Sequence, residues 1–152
     1  YDTTASGNYS HAEGYITGTY NDMAHSEGCR TSATGQFSHA EGNATTAVGS
    51  RSHSEGLWTN AAKDCSHAEG LYTVSNSLGG HAEGNGNIGN EDSISEIGIG
   101  NYGTTGTPGT RKNAREWKTN GNYYVYGVGG YDGTNCRASL TLQTVINNLK
   151  RL

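Results

Sequence analysis

The tetrapeptide His-Ala-Glu-Gly or His-Ser-Glu-Gly begins at His11, His25, His39, His53, His67 and His81, each 14 residues after the one before. These six are all the histidines of the chain. A chain that repeats at one short interval stacks like on like, and each repeat meets only its neighbours. In this frame the coils run 3–16, 17–30, 31–44, 45–58, 59–72 and 73–86, followed by a degenerate seventh at 87–100. Six of the seven open with Thr.

Each coil holds two short alternating segments, such as Thr3-Thr4-Ala5-Ser6-Gly7 and Ser10-His11-Ala12-Glu13-Gly14. Side chains alternate faces along a strand, so Ser10, Ala12 and Gly14 share one face, and His11 and Glu13 the other. Small residues recur on the first face in every coil through Gly84, as a narrow space between opposed strands requires. Composition agrees. Only 32% of residues are hydrophobic, with one Phe, one Met and 24 Gly. Ordering a backbone costs roughly 1–2 kcal/mol per residue, which a monomeric globule offsets with buried apolar area. Ala, Ser, Thr and Gly do not supply it. With 16% charged residues and one Pro, the chain also lacks the composition of disorder. Stacked β-coils remain, seven of them standing about 30–35 Å tall at the usual strand spacing.

Ser38-His39-Ala40-Glu41-Gly42 and Thr31-Ser32-Ala33-Thr34-Gly35 carry a Ser-x-Ala-x-Gly pattern twice per coil. This pattern resembles the YadA-like head repeats of trimeric autotransporter adhesins, and its Ser-His-Ala-Glu-Gly version is similar to repeats in phage and prophage tail-associated proteins. The resemblance covers residues 1 to about 100. It implies an all-β, left-handed parallel β-roll in a homotrimer, three rolls around one axis. In the related version, Val and Ile stand where His11 and Glu13 stand here and face the partner chains. The resemblance therefore implies a trimer-interface ladder of His11, Glu13, His25, Glu27, His39, Glu41, His53, Glu55, His67, Glu69, His81 and Glu83. The residues alone say only that these side chains leave the roll's own interior. The chain departs from the pattern at Lys63, at Gly79-Gly80-His81, and in the seventh coil, where Ser95-Glu96-Ile97-Gly98 reads as a terminal cap.

Repeated His and Glu also raise metal binding or acid–base chemistry. Catalytic sites are single constellations in which each residue has its own role, whereas six identical rungs read as architecture. The expectation is a structural ladder with no catalytic residue, no metal and no cofactor. The Thr column is one residue wide, because its partner positions are mostly Ala (Ala5, Ala33, Ala47, Ala61), and it reads as an interior ladder. Corner positions vary most and include Tyr9, Met23, Phe37, Arg51 and Cys65 at one turn and Tyr15, Leu57, Trp58, Leu71 and Tyr72 at another. Aromatics there (Tyr9, Phe37, Tyr15, Trp58, Tyr72) are candidates for contact, with packing between chains the favoured use.

Beyond Gly100 the period stops. Residues 101–117 read as a linker or neck, 118–138 as a β-rich segment around Tyr123-Tyr124-Val125-Tyr126, and 139–152 as a short trimerising helix. Leu142, Val145, Leu149 and Leu152 match an a/d seam. Residues 1–100 carry 12 acidic and 3 basic side chains and residues 101–152 carry 2 and 7, so the two parts differ in kind. The basic group Arg111, Lys112, Arg115 and Lys118 reads as a solvated connector, with no nucleic-acid partner expected. Cys29, Cys65 and Cys136 show neither zinc spacing nor a disulfide framework. No apolar run approaches the roughly 20 residues of a membrane helix, so no membrane insertion is expected in this segment. The functional expectation is a non-enzymatic attachment component: a receptor-binding tail fibre of a phage or phage-like particle, located on the virion tail and recognising a cell-surface glycan or protein. The head fragment of a bacterial surface adhesin is the alternative, and a metal-binding protein using the rungs is the third.

Overall fold

The computed structural model describes residues 2–101, 109–126 and, as backbone, 140–141. All regular structure among these residues is β. Two parallel sheets stack along one axis. The first contains β1 (Thr4–Ala5), β3 (Gly18–Thr19), β5 (Ser32–Ala33), β7 (Thr46–Ala47), β9 (Asn60–Ala61) and β11 (Val74–Ser75), paired in that order. The second contains β2 (His11–Tyr15), β4 (His25–Cys29), β6 (His39–Asn43), β8 (His53–Ser54), β10 (His67–Ala68) and β12 (His81–Asn85). It continues through β13 (Ser93–Ile99), β14 (Asn113–Lys118), β15 (Tyr123–Val125) and β16 (Leu140–Thr141). The chain alternates between the sheets, and every rung pairs 14 residues on: His25 lies opposite His39, and Ser32 opposite Thr46. This is the β-solenoid that the repeat predicts.

The interior is as small as expected. Ala33, Ala40, Ala47, Ala61 and Ala68 are fully buried, and the threonines that open the coils, Thr17, Thr31, Thr45, Thr59 and Thr73, are buried beside them. The Thr column is thus an interior ladder. In four coils its hydrogen bonding follows the Ser/Ala choice in the histidine motif, whereas after Ala68 the Thr73 hydroxyl donates to Glu69 O at 2.9 Å instead. Ser26 Oγ lies 2.7 Å from Thr31 Oγ1, and Ser54 Oγ lies 2.7 Å from Thr59 Oγ1. Where the motif carries Ala12 or Ala40, the hydroxyls of Thr17 and Thr45 have no hydrogen-bond partner.

Corners fall every seventh residue. Tyr9, Ile16, Met23, Arg30, Phe37, Ala44, Arg51, Trp58, Cys65 and Tyr72 all hold φ between 54° and 59°, the left-handed region. A side chain there costs roughly 1–2 kcal/mol, so a compensating interaction is required. The backbone supplies it. Phe37 N–H donates to Asp22 O at 3.0 Å and Trp58 N–H to Asn43 O at 2.9 Å, and Met23, Arg30, Ala44, Arg51, Cys65 and Tyr72 reach back 15 residues in the same way. The corners therefore belong to the ladder, unlike ordinary surface loops.

The glycine of the histidine motif is corrected from the sequence reading. Gly14, Gly28, Gly42, Gly56, Gly70 and Gly84 are exposed and do not fill the small face. At Gly42 φ is +105°, and a Cβ would stand 2.3 Å from the carbonyl oxygen of Gly56. Glycine is needed there for the close approach of successive coils.

The seventh coil continues the second sheet as β13 but adds no strand to the first. Asn87 ends that sheet with its side chain. Its Oδ1 accepts from Val74 N at 2.7 Å and its Nδ2 donates to Val74 O at 2.8 Å, as a peptide group of a further rung would. At the register of Ala82, Glu96 enters the end of the interior and accepts from Asn87 Nδ2, Gly89 N and Asn90 N. β14 then turns antiparallel against β13, which places strand within residues read above as neck. Glu116 on β14 is buried and accepts from Lys118 Nζ, Tyr126 Oη, Asn90 Nδ2 and Ser93 Oγ. Two members of the basic group are consequently half-buried and paired, and do not act as a freely solvated connector. Arg111 donates to Tyr72 O and Asn87 O, and Lys118 bridges Asp92 and Glu116. The expected Tyr-rich strand is β15, reached through a turn at 119–122. Of the segment read as a helix, Leu140 and Thr141 instead pair with β15, whose outer edge offers unpaired backbone groups. The seam residues Leu142, Val145, Leu149 and Leu152, together with Cys136, lie outside the described residues. Among the described residues no helix is long and apolar enough to cross a membrane.

Candidate functional site: the histidine and glutamate ladders

In a parallel, in-register sheet, identical residues stack on identical residues. β2, β4, β6, β8, β10 and β12 each begin with the motif's histidine, and Glu follows two positions later on the same face. His11, His25, His39, His53, His67 and His81 therefore form one column. From His25 upward the rings are stacked at 4.6 to 4.9 Å between centroids, with interplanar angles of 13° or less. His11 caps the column edge-on at 5.1 Å. Glu13, Glu27, Glu41 and Glu55, with their following glycines, line a shallow groove of about 540 Å³ beside it. Glu69 and Glu83 continue the carboxylate column above.

The pairing between columns changes along the axis. His11, His25 and His39 lie 3.5, 3.8 and 3.9 Å from the carboxylates of their own rungs, Glu13, Glu27 and Glu41. His67 and His81 instead lean to the rung below, 3.6 Å from Glu55 and 3.1 Å from Glu69. Only the last of these is a hydrogen bond of ordinary length. The Nε2 atoms of His25, His39, His53 and His67 are shielded from solvent and have no hydrogen-bond partner. Burial, with the neighbouring His81 imidazole, pushes His67 below its ordinary value, against the pull of Glu69. Burial acts to raise Glu69, but hydrogen bonds with His81 and Glu55 and the charges of His67 and His81 outweigh it, leaving Glu69 lowered. Three sets of ligand atoms come together: Glu27–His39–Glu41, Glu41–His53–Glu55 and Glu55–His67–Glu69, the atoms of each set within 4.8 Å of one another.

The structure thus brings all twelve ladder residues onto the outer face of the second sheet, outside the roll's interior. The corner aromatics divide. Tyr9 is 89% exposed, and Tyr15 and Phe37 are also exposed. Trp58 and Tyr72 stack on each other at 4.5 Å, with Tyr72 buried. Sequence reasoning missed the cluster of buried Asn87, Glu96 and Glu116 with the half-buried Tyr126. The one sign of it was the loss of His-Ala-Glu-Gly at Ser95-Glu96-Ile97-Gly98. No protein-family model matches the chain, and no curated protein matches it either.

Proposed function

We propose that this chain is part of a homotrimeric attachment fibre, its solenoid a left-handed roll of the YadA-like kind, serving as a receptor-binding tail fibre of a phage or phage-like particle. It is a scaffold and carries no catalytic activity. The observation that carries this reading is a mismatch between inside and outside. In coils two to six the largest fully buried side chains are threonines, whereas Met23, Phe37 and Val48 on the same coils stay exposed. A chain that keeps its larger apolar groups outside favours a second surface to cover them, and three copies around one axis provide it. The ladder face and the apolar corner side chains are the surfaces that the trimer covers, and the outer surface that remains meets the receptor, a glycan or protein of the target cell. The fibre works on the virion tail or, if the chain belongs to an adhesin, on the bacterial surface.

Light scattering on the purified chain tests the assembly and should give three times 16.0 kDa. A stable, folded monomer at micromolar concentration would overturn the trimer. The ladder's orientation is tested in chelator-treated buffer by His39→Val combined with Glu41→Ile. Against partner chains, an apolar pair replaces a desolvated polar one, so thermal stability should be unchanged or higher. A soluble, equally stable trimer that no longer binds cells would make the ladder the receptor site instead.

A further inference from the structure

The distances within the ladder suit shared coordination better than direct pairing. His25 Nε2 to Glu27, His39 Nε2 to Glu41 and His67 Nε2 to Glu55 measure 3.8, 3.9 and 3.6 Å. An N–H···O hydrogen bond spans about 2.7–3.2 Å. Two ligands held by one tetrahedral zinc ion at about 2.0–2.1 Å stand roughly 3.4 Å apart. A second observation is independent of these lengths: the Nε2 atoms of His25, His39, His53 and His67 are out of solvent with nothing to bond. Leaving such an atom unsatisfied costs about 1–3 kcal/mol, which a coordinate bond would recover at His39 and His67, each flanked by two carboxylates.

We propose that the ladder binds borderline divalent transition-metal ions, zinc being the type, at Glu27–His39–Glu41 and Glu55–His67–Glu69. These two triads share no residue, whereas Glu41–His53–Glu55 borrows a carboxylate from each. Charge selects the same pair. Four carboxylates balance two divalent ions, and a third ion would leave the cluster cationic. The two ions sit two coils apart, roughly 10 Å at the usual strand spacing. An imidazole nitrogen in each set favours zinc, nickel or copper over magnesium and calcium. Each ion pins two successive coils, so binding fixes the register of the column. All ligands come from one chain, so the sites do not depend on the trimer.

The test is calorimetric titration of zinc chloride into the chelator-stripped full chain, with light scattering on the same samples reporting assembly separately. Saturation at two ions per chain is expected, weakening on acidification because imidazole must be neutral to bind. His53→Ala should still bind two ions. His39→Ala with His67→Ala should bind one, through the middle triad. Changing Glu27, Glu41, Glu55 and Glu69 all to Gln keeps the imidazoles and should weaken binding at least tenfold. Cobalt(II) added to the unmodified chain gives a readout free of folding effects, and a strong tetrahedral visible spectrum is expected. Absence of saturable zinc binding, or the pale spectrum of hydrated cobalt, would overturn the proposal. So would unchanged affinity in the carboxylate variant, which would mean binding by the imidazole stack alone. Loss of an ion in His53→Ala, or two ions retained without His39 and His67, would overturn the assignment to the outer triads.

Discussion

A single methyl-to-hydroxymethyl difference controls the interior at residue scale. Ser26 and Ser54 each meet the threonine five positions on, whereas Ala40 leaves the buried Thr45 hydroxyl without a partner. Ser already fits this position in both adjacent coils, so Ala40→Ser should stabilise the chain by about 0.5–1.5 kcal/mol. Denaturant unfolding measures this as a higher midpoint at unchanged slope, and no gain would mean that the Thr45 hydroxyl is already satisfied in solution. Much at this scale was legible. The alternation of Ser38, Ala40 and their kin placed the small face, and His39 and Glu41 on the opposite face. The motif's glycine was half legible. Glycine in a tight coil permits a positive φ, which Gly42 holds, but alternation also makes it a small interior filler, whereas it is exposed and meets a carbonyl 14 residues away. That close approach is not visible in a pattern of side-chain size.

At the scale of elements, the repeat ends on a polar plug. Glu116 is 1% exposed and gathers donors from Lys118, Tyr126, Asn90 and Ser93. Replacing it with Gln keeps the shape but removes the charge that those donors serve, and leaves the Lys118 ammonium with Asp92 alone. Because Lys118 keeps one carboxylate partner, the cost is that of weakened hydrogen bonds to a charged group, about 1.5–3 kcal/mol. Glu116→Gln should lower the melting temperature accordingly and free the amides of β13 and β14 to exchange. Equal protection in the variant would show that the plug is not what holds this end. This strand was not legible as a strand. On β14, Asn113 and Glu116 are buried while Trp117 is 50% exposed, which inverts the usual polarity of a half-buried strand. The end of the 14-residue period and the Gly/Pro-containing run from Gly103 to Thr110 therefore carry the reading of 101–117 as a neck past the start of the strand. Asn87 escaped notice for a related reason: a side chain standing in for a peptide group leaves no periodic trace.

At the scale of the molecule, proton binding couples the ladder and the plug to stability. His67 is held below its ordinary value, first by burial and then by His81. Its contribution is full above pH about 6.5, where the unfolded chain is also neutral, and is lost as pH falls toward the folded value. Glu69 and Glu116 are lowered although burial opposes this, because hydrogen bonds outweigh it. Their contribution is present above the ordinary carboxylate range and is lost as pH drops through their folded values. Burial acts to lower Lys118, but its bonds to Asp92 and Glu116 leave it raised, so its contribution fades only on the alkaline side. In metal-free buffer, melting followed by circular dichroism should therefore weaken from pH 7.5 to 5.5, and again from 5.5 to 3.5. An unchanged melting temperature across that range would show the ladder and plug to be indifferent to charge. The column itself was fully legible, since in-register stacking turns a 14-residue interval directly into a line of like residues.

The corners recur at seven residues while the histidine motif recurs at fourteen, and the two intervals give the fibre a phase. An insertion of fourteen residues would lengthen the stack by one coil and leave the His/Glu stripe in line. An insertion of seven would still bring a corner where the backbone needs one. It would also send every later histidine to the opposite sheet, cutting the stripe in two and turning its upper half through half a revolution. Length can thus change in whole coils without altering what the surface presents, whereas a half-coil change redirects it.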